Sequence, residues 1–143
     1  MNDINHPPKL AECRQVRAGA TFVGKQGLTY AVGISAETVE AKAIHLQMVT
    51  LPPGARAKAH MHEAHETAIY ALTGTSHVWH GAKLEHHSVV APGDFFYIPA
   101  GVPHLPYNPS TEPATALIAR TDPNEQESVV LLPELESLAG QTG

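Results

Sequence analysis

From Thr21 to Ala119 the chain is cut into short β-prone runs by turn residues at close intervals. Leu51-Pro52-Pro53-Gly54, Thr73-Gly74-Thr75, Gly81, Pro92-Gly93-Asp94 and Pro99-Ala100-Gly101 each interrupt a run. Pro and Gly stop helices and open turns, so a chain punctuated this often cannot build long helices. The runs between the turns are short and rich in Val, Ile, Thr and aromatics. Examples are Leu28 to Val32, Ile44 to Thr50, Thr67 to Leu72, Phe95 to Ile98 and Ala114 to Ala119. Strands of this length with turns this frequent predict an all-β sandwich or closed barrel. Ala55 to His62, Ser76 to Trp79, Leu84 to Val90 and Val102 to Tyr107 complete the series, with Val129 to Leu132 as a last strand or docking segment. Glu37 to Ala43 tolerates helix. Residues 1–15 read as an arm, the barrel as about 20–120, and 121–143 as a tail with a weakly structured or short helical end.

The 143 residues suffice for one domain with a real core. The formal net charge is -5 without a Lys/Arg cluster, which argues against nucleic acid and anionic membrane as partners. No apolar run is long enough to span a bilayer, and the polar N-terminus does not read as a secretory signal. Cys13 is the sole cysteine, so no intrachain disulfide forms, and a cytoplasmic setting is expected.

Two stretches carry chemistry: Gly54-x5-His60-x-His62-x3-Glu66-x7-Gly74 and Gly93-x5-Pro99-x-Gly101-x2-His104-x3-Asn108. Residues two apart on a strand share a face, so His60 and His62 point together. His104 follows a tight turn that re-aims the chain. Glu66 comes after a short turn and is expected to start the neighbouring strand facing the same interior. Three imidazoles and a carboxylate suit one divalent transition metal: Fe, Mn, Ni, Co, Cu or Zn. Asn108 reads as a hydrogen-bonding residue of its turn.

These paired stretches resemble the two motifs of the cupin superfamily. The second matches throughout. In the first, seven residues rather than six separate Glu66 from Gly74, and counting back six lands on Thr67, which is not acidic. Glu66 is therefore kept as the ligand, with a bulge expected nearby and Glu63 as the substitute carboxylate. The resemblance implies a jelly-roll barrel (a double-stranded β-helix) with six to eight strands per sheet. It also implies a metal inside, near an open end, and a homodimer. It implies no single activity.

Other residues have open readings. Tyr70 shares a face with Glu66 on a regular strand and either offers its phenol to the metal cavity or packs in the barrel. His45 lies in an alternating strand and faces either the interior or the outside. Both are candidate acid–base groups. Arg56 and Lys58 are expected to share the face of the His pair, where each either neutralises a carboxylate or enolate on a bound ligand or is solvated near the rim, and Ala57, Ala59, Ala68 and Ala71 to line a pocket for a small molecule. His65 is expected at the surface, His86 and His87 as a solvated pair, and His77 and His80 on opposite faces. Of Phe95/Tyr97 and Phe96/Ile98, one pair faces in.

The functional expectation is a metal-dependent enzyme on a small oxygen-bearing molecule, of dioxygenase, isomerase or lyase type. The alternatives are a non-catalytic small-molecule or metal-binding module and a vestigial barrel with an empty site.

Overall fold

A computed structural model describes residues 11–125 and 128–140. Most of the expected N-terminal arm therefore lies outside the described residues. Among the described residues eleven strands form: β1 (Thr21–Val23), β2 (Thr29–Ile34), β3 (His45–Leu51), β4 (His60–His62), β5 (Thr67–Thr73), β6 (Ser76–His80), β7 (His86–Val90), β8 (Phe95–Ile98), β9 (His104–Tyr107), β10 (Ala114–Arg120) and β11 (Val129–Leu131). They make two antiparallel sheets, ordered β1-β2-β3-β10-β5-β8 and β11-β4-β9-β6-β7. This is the all-β architecture that the turn spacing predicts, in the jelly-roll form that the resemblance implies. Its sheets have six and five strands rather than six to eight each.

Alternation sets the faces. On β3, His45, Gln47, Val49 and Leu51 are buried. On β8, Phe96 and Ile98 turn in, while Phe95 and Tyr97 are exposed. One cluster between the sheets joins Leu28, Tyr30, Val49, Leu51, Ala57 and Ala114. A second joins Ala59, Leu84 and Leu105, and Leu132, Leu135 and Ala139 pack against it. The expected helical end is a 3-10 helix over Pro133–Leu138, held by that apolar contact.

Ala55 to His62 is not one strand. Only His60–His62 is regular, and Arg56 makes a single bridge to Tyr107. Facing this stretch, Pro106 has no N–H to donate, so the ladder is broken; its carbonyl still accepts from the Ala57 N–H at 2.9 Å. Within Glu37 to Ala43 only a short turn of helix forms, α1 (Ala36–Val39), capped by Ser35. Gly74 sits at φ +66, and a Cβ there would strike the Pro113 carbonyl oxygen, so only glycine fits. The Asn108 amide donates to the carbonyls of Leu51 (2.9 Å) and Glu112 (2.7 Å), which is the structural role expected of it.

Candidate metal centre

The site arises from register. β4 and β9 run antiparallel with His60 directly opposite His104, and His62 lies two residues further along the same face. The ring centroids are 4.2 Å apart for His60 and His104, 5.2 Å for His60 and His62, and 5.1 Å for His62 and His104. All three side chains are buried, and one ring nitrogen from each lies within 4.8 Å of the others.

The main chain orients two of the rings. His60 Nδ1 is 2.6 Å from the Lys58 carbonyl oxygen, and His104 Nδ1 is 3.0 Å from that of Val102. A carbonyl only accepts, so each Nδ1 carries the proton and donates it. Nε2 is then the atom with a lone pair for a metal. Three neutral imidazoles at ligand spacing fit a divalent transition metal.

Around the cluster is a cavity of about 50 Å³. Gln26, Tyr30, Gln47, Thr67, Ile69 and Arg120 line it together with the three histidines. Buried Gln, Thr and Arg are uncommon in a packed interior, and here they converge on one space.

Glu66 does not join the histidines. Thr67 is the buried residue at this point, and the ladder from Thr67 to Tyr70 is regular against both neighbours of β5. Ala68 and Tyr70 therefore face out with Glu66. The Glu66 carboxylate accepts the Tyr97 hydroxyl at 2.6 Å, which holds the Tyr97 phenol above its ordinary pKa. Glu63 is exposed as well. A bulge does exist on β5, where the register with β10 shifts past Leu72, but it falls too late to turn Glu66 inward.

Tyr70 packs on the outer face against Phe95, with ring centroids 4.8 Å apart, and does not reach the cavity. Of the two directions open to His45 the structure takes the inward one, but His45 pairs with Arg120 of β10, one row beyond the Gln47 that lines the cavity. Arg56 points away to Glu136 at 3.4 Å, and Lys58 is exposed. The alternation they were expected to follow fails where Ala59 and His60 are both buried in succession. Ala57, Ala59 and Ala71 are buried in the apolar clusters, and Ala68 is exposed.

His65, expected at the surface, is 3 % exposed, stacks near His62 at 4.6 Å, and has Nδ1 3.8 Å from an Asp122 carboxylate oxygen. The signal for it was Thr67: residues 65, 67, 69 and 71 share a face once Thr67 is read as inward. Tyr30, Gln47 and Arg120 were not singled out because they come from β2, β3 and β10, whose neighbours only the sheet order defines.

A second histidine group occupies the β6–β7 hairpin. His77 and His80 fall on opposite faces, as expected. His77 Nδ1 lies 3.3 Å from His87 Nε2, and that nitrogen is 2.8 Å from the Tyr107 hydroxyl. Partial burial and the neighbouring His87 hold the His77 pKa below 6.5.

Residues 47–120 match the family model described as Cupin domain. Among solved structures, the chain is similar to Bacillus subtilis oxalate decarboxylase, a protein with Mn(II) centres (23% identity, TM-score 0.64, 77% of this chain, 29% of that one). It is similar to a sugar phosphate isomerase from Silicibacter pomeroyi (22% identity, TM-score 0.54, 64% of this chain, 59% of that one). It is also similar to a Thermus thermophilus protein (31% identity, TM-score 0.54, 65% of this chain, 83% of that one). The chain spans about a third of the length of the oxalate decarboxylases it matches. No curated protein matches it.

Proposed function

The chain belongs to the cupin family, and on that premise we propose that it is a metal-dependent enzyme acting on a small oxygen-bearing molecule. The observation that carries this reading is the buried convergence of His60, His62 and His104, with two of the rings oriented by main-chain carbonyls. Three imidazoles gathered at ligand spacing in the interior form the donor set a divalent transition metal needs. Fe, Mn, Ni, Co, Cu and Zn all suit the donor set. Such a metal supplies Lewis acidity and open positions for a ligand.

The residues around it do the rest. Gln47 and Thr67 offer hydrogen bonds to a bound molecule, and Ile69, Ile98 and Ile118 give the cavity an apolar lining. Tyr30 is the phenol that lines the cavity, which Tyr70 and His45 do not, and it is the acid–base candidate. The structural neighbours named as a decarboxylase and an isomerase favour chemistry at a carbon next to an oxygen. The reading is tested by elemental analysis of untagged protein, then by product analysis of the loaded protein with small keto acids, hydroxy acids and diketones. No turnover of any of them would leave the non-catalytic binding module. Absence of oxygen uptake by the iron form would remove the dioxygenase version.

We also propose that two copies pair through the outer face of the six-stranded sheet. Met48, Leu117, Tyr70 and Phe95 form one cross-strand row, and Leu46, Ala119, Ala68 and Tyr97 the next. Phe95 is 82 % exposed at the end of its row. A contiguous apolar face of this kind marks an association surface.

A further inference from the structure

On the reading that His60, His62 and His104 hold a metal, we infer that the centre lacks a protein carboxylate and that its ligand is a small anion, a carboxylate or enolate. Thr67 is the reason. It stands six residues before Gly74, is 5 % exposed, and lines the same cavity as the three histidines. The inward position at the start of β5 thus carries a neutral hydroxyl, while the nearest glutamate in sequence is turned outward onto Tyr97.

The buried polar residues extend the point. Among the described residues they are Gln26, Ser35, His45, Gln47, His60, His62, His65, Thr67, His104, Asn108 and Arg120, with no aspartate or glutamate. A divalent ion held only by neutral imidazoles keeps its full charge in a site that water reaches poorly. A charge in such surroundings is stable only beside an opposite charge. The protein does not place that charge at Thr67, so the bound molecule supplies it. Size narrows the class. A cavity of about 50 Å³ holds only a few water-sized groups, which favours a short carboxylate or enolate.

The test uses the full chain reconstituted with Co(II), whose visible absorption reports changes at the metal, and titrates acetate against acetamide. The two probes match in size and differ in charge. Acetate is expected to bind at least about tenfold more tightly than acetamide, because a nearby opposite charge is worth about that factor or more. Thr67→Glu is expected to tighten Co(II) and weaken acetate by about tenfold or more, the new carboxylate filling the place of the anion. Thr67→Val is expected to keep the preference for acetate, since it removes a hydroxyl and no charge. Equal binding of acetate and acetamide to the wild type overturns the inference. So does a folded Thr67→Glu variant that keeps the acetate preference. If Thr67→Glu does not fold, the wild-type comparison and Thr67→Val still decide. Failure of the metal reading shows separately, as no Co(II) spectrum that depends on His62.

Discussion

The Tyr97 hydroxyl donates to the Glu66 carboxylate at 2.6 Å on the outside of the barrel, while Thr67, the next residue, is buried beside the histidines. One step along the chain separates a surface ion from the cavity wall, because successive strand residues point to opposite faces. Glu66→Gln is therefore expected to leave metal affinity unchanged and to lower the Tyr97 pKa, which the carboxylate raises from 10.0. A raised pKa means that this bond favours the fold below the ordinary tyrosine range and is lost as pH rises through the higher folded value. Spectrophotometric titration of the phenolate reads the shift. A loss of metal affinity in this variant would put Glu66 back at the ion.

Single replacement of His60, His62 or His104 by alanine is expected to reduce bound metal from about one ion per chain to near zero. The wild type should gain stability with metal, by about 2.7 kcal/mol when the ion is at a hundredfold its dissociation constant. The variants should lose that gain. Elemental analysis and thermal unfolding with and without metal check both.

Gly74→Ala is expected to destabilise the protein by about 2 kcal/mol or more, since the left-handed backbone alone costs a residue with a side chain about 1–2 kcal/mol. The added methyl also strikes main-chain atoms of Pro113 and Ala114, which cannot swing away as a side chain can. Denaturant unfolding measures the loss.

The β6–β7 hairpin should be acid-sensitive. Its two imidazoles, His77 and His87, share a contact at 3.3 Å that needs at least one of them neutral. The His77 pKa is lowered by burial and then by His87. A lowered pKa gives stability that is present above the unfolded value of 6.5 and is lost as pH falls through the folded value. His87→Gln is expected to flatten the dependence of the unfolding midpoint on pH over this range. An unchanged slope would count against the contact.

Leu117→Lys places a charge in the middle of the outer apolar rows and is expected to convert a dimer to a monomer without loss of bound metal. Light scattering after gel filtration gives the mass. A wild type that is monomeric at all working concentrations would end the dimer proposal.

How much of this was legible beforehand depended on periodicity. His60 and His62 converge because the strand period is two, and His104 because its turn signal was intact; both facts are local. Thr67 was also legible from its spacing to Gly74. Chemistry alone favours the neighbouring carboxylate as the ligand, and a one-residue shift reverses every face downstream. His65 went with it. Arg56 and Lys58 were misplaced for a different reason. Their segment alternates in sequence but lacks a continuous ladder partner opposite Pro106, so the period does not carry through to His60. Tyr30, Gln47 and Arg120 required knowledge of which strands lie side by side, which no window of sequence contains.

The carbonyls that receive the protons of His60 and His104 belong to Lys58 and Val102, and a carbonyl is present whatever side chain the residue bears. The aim of those two rings is thus inherited with the path of the backbone, not with any neighbouring residue type. Positions 58 and 102 can drift through evolution or be redesigned at will, and the walls at 30, 47 and 67 can be exchanged to suit another ligand, while two of the histidines keep presenting the same nitrogen.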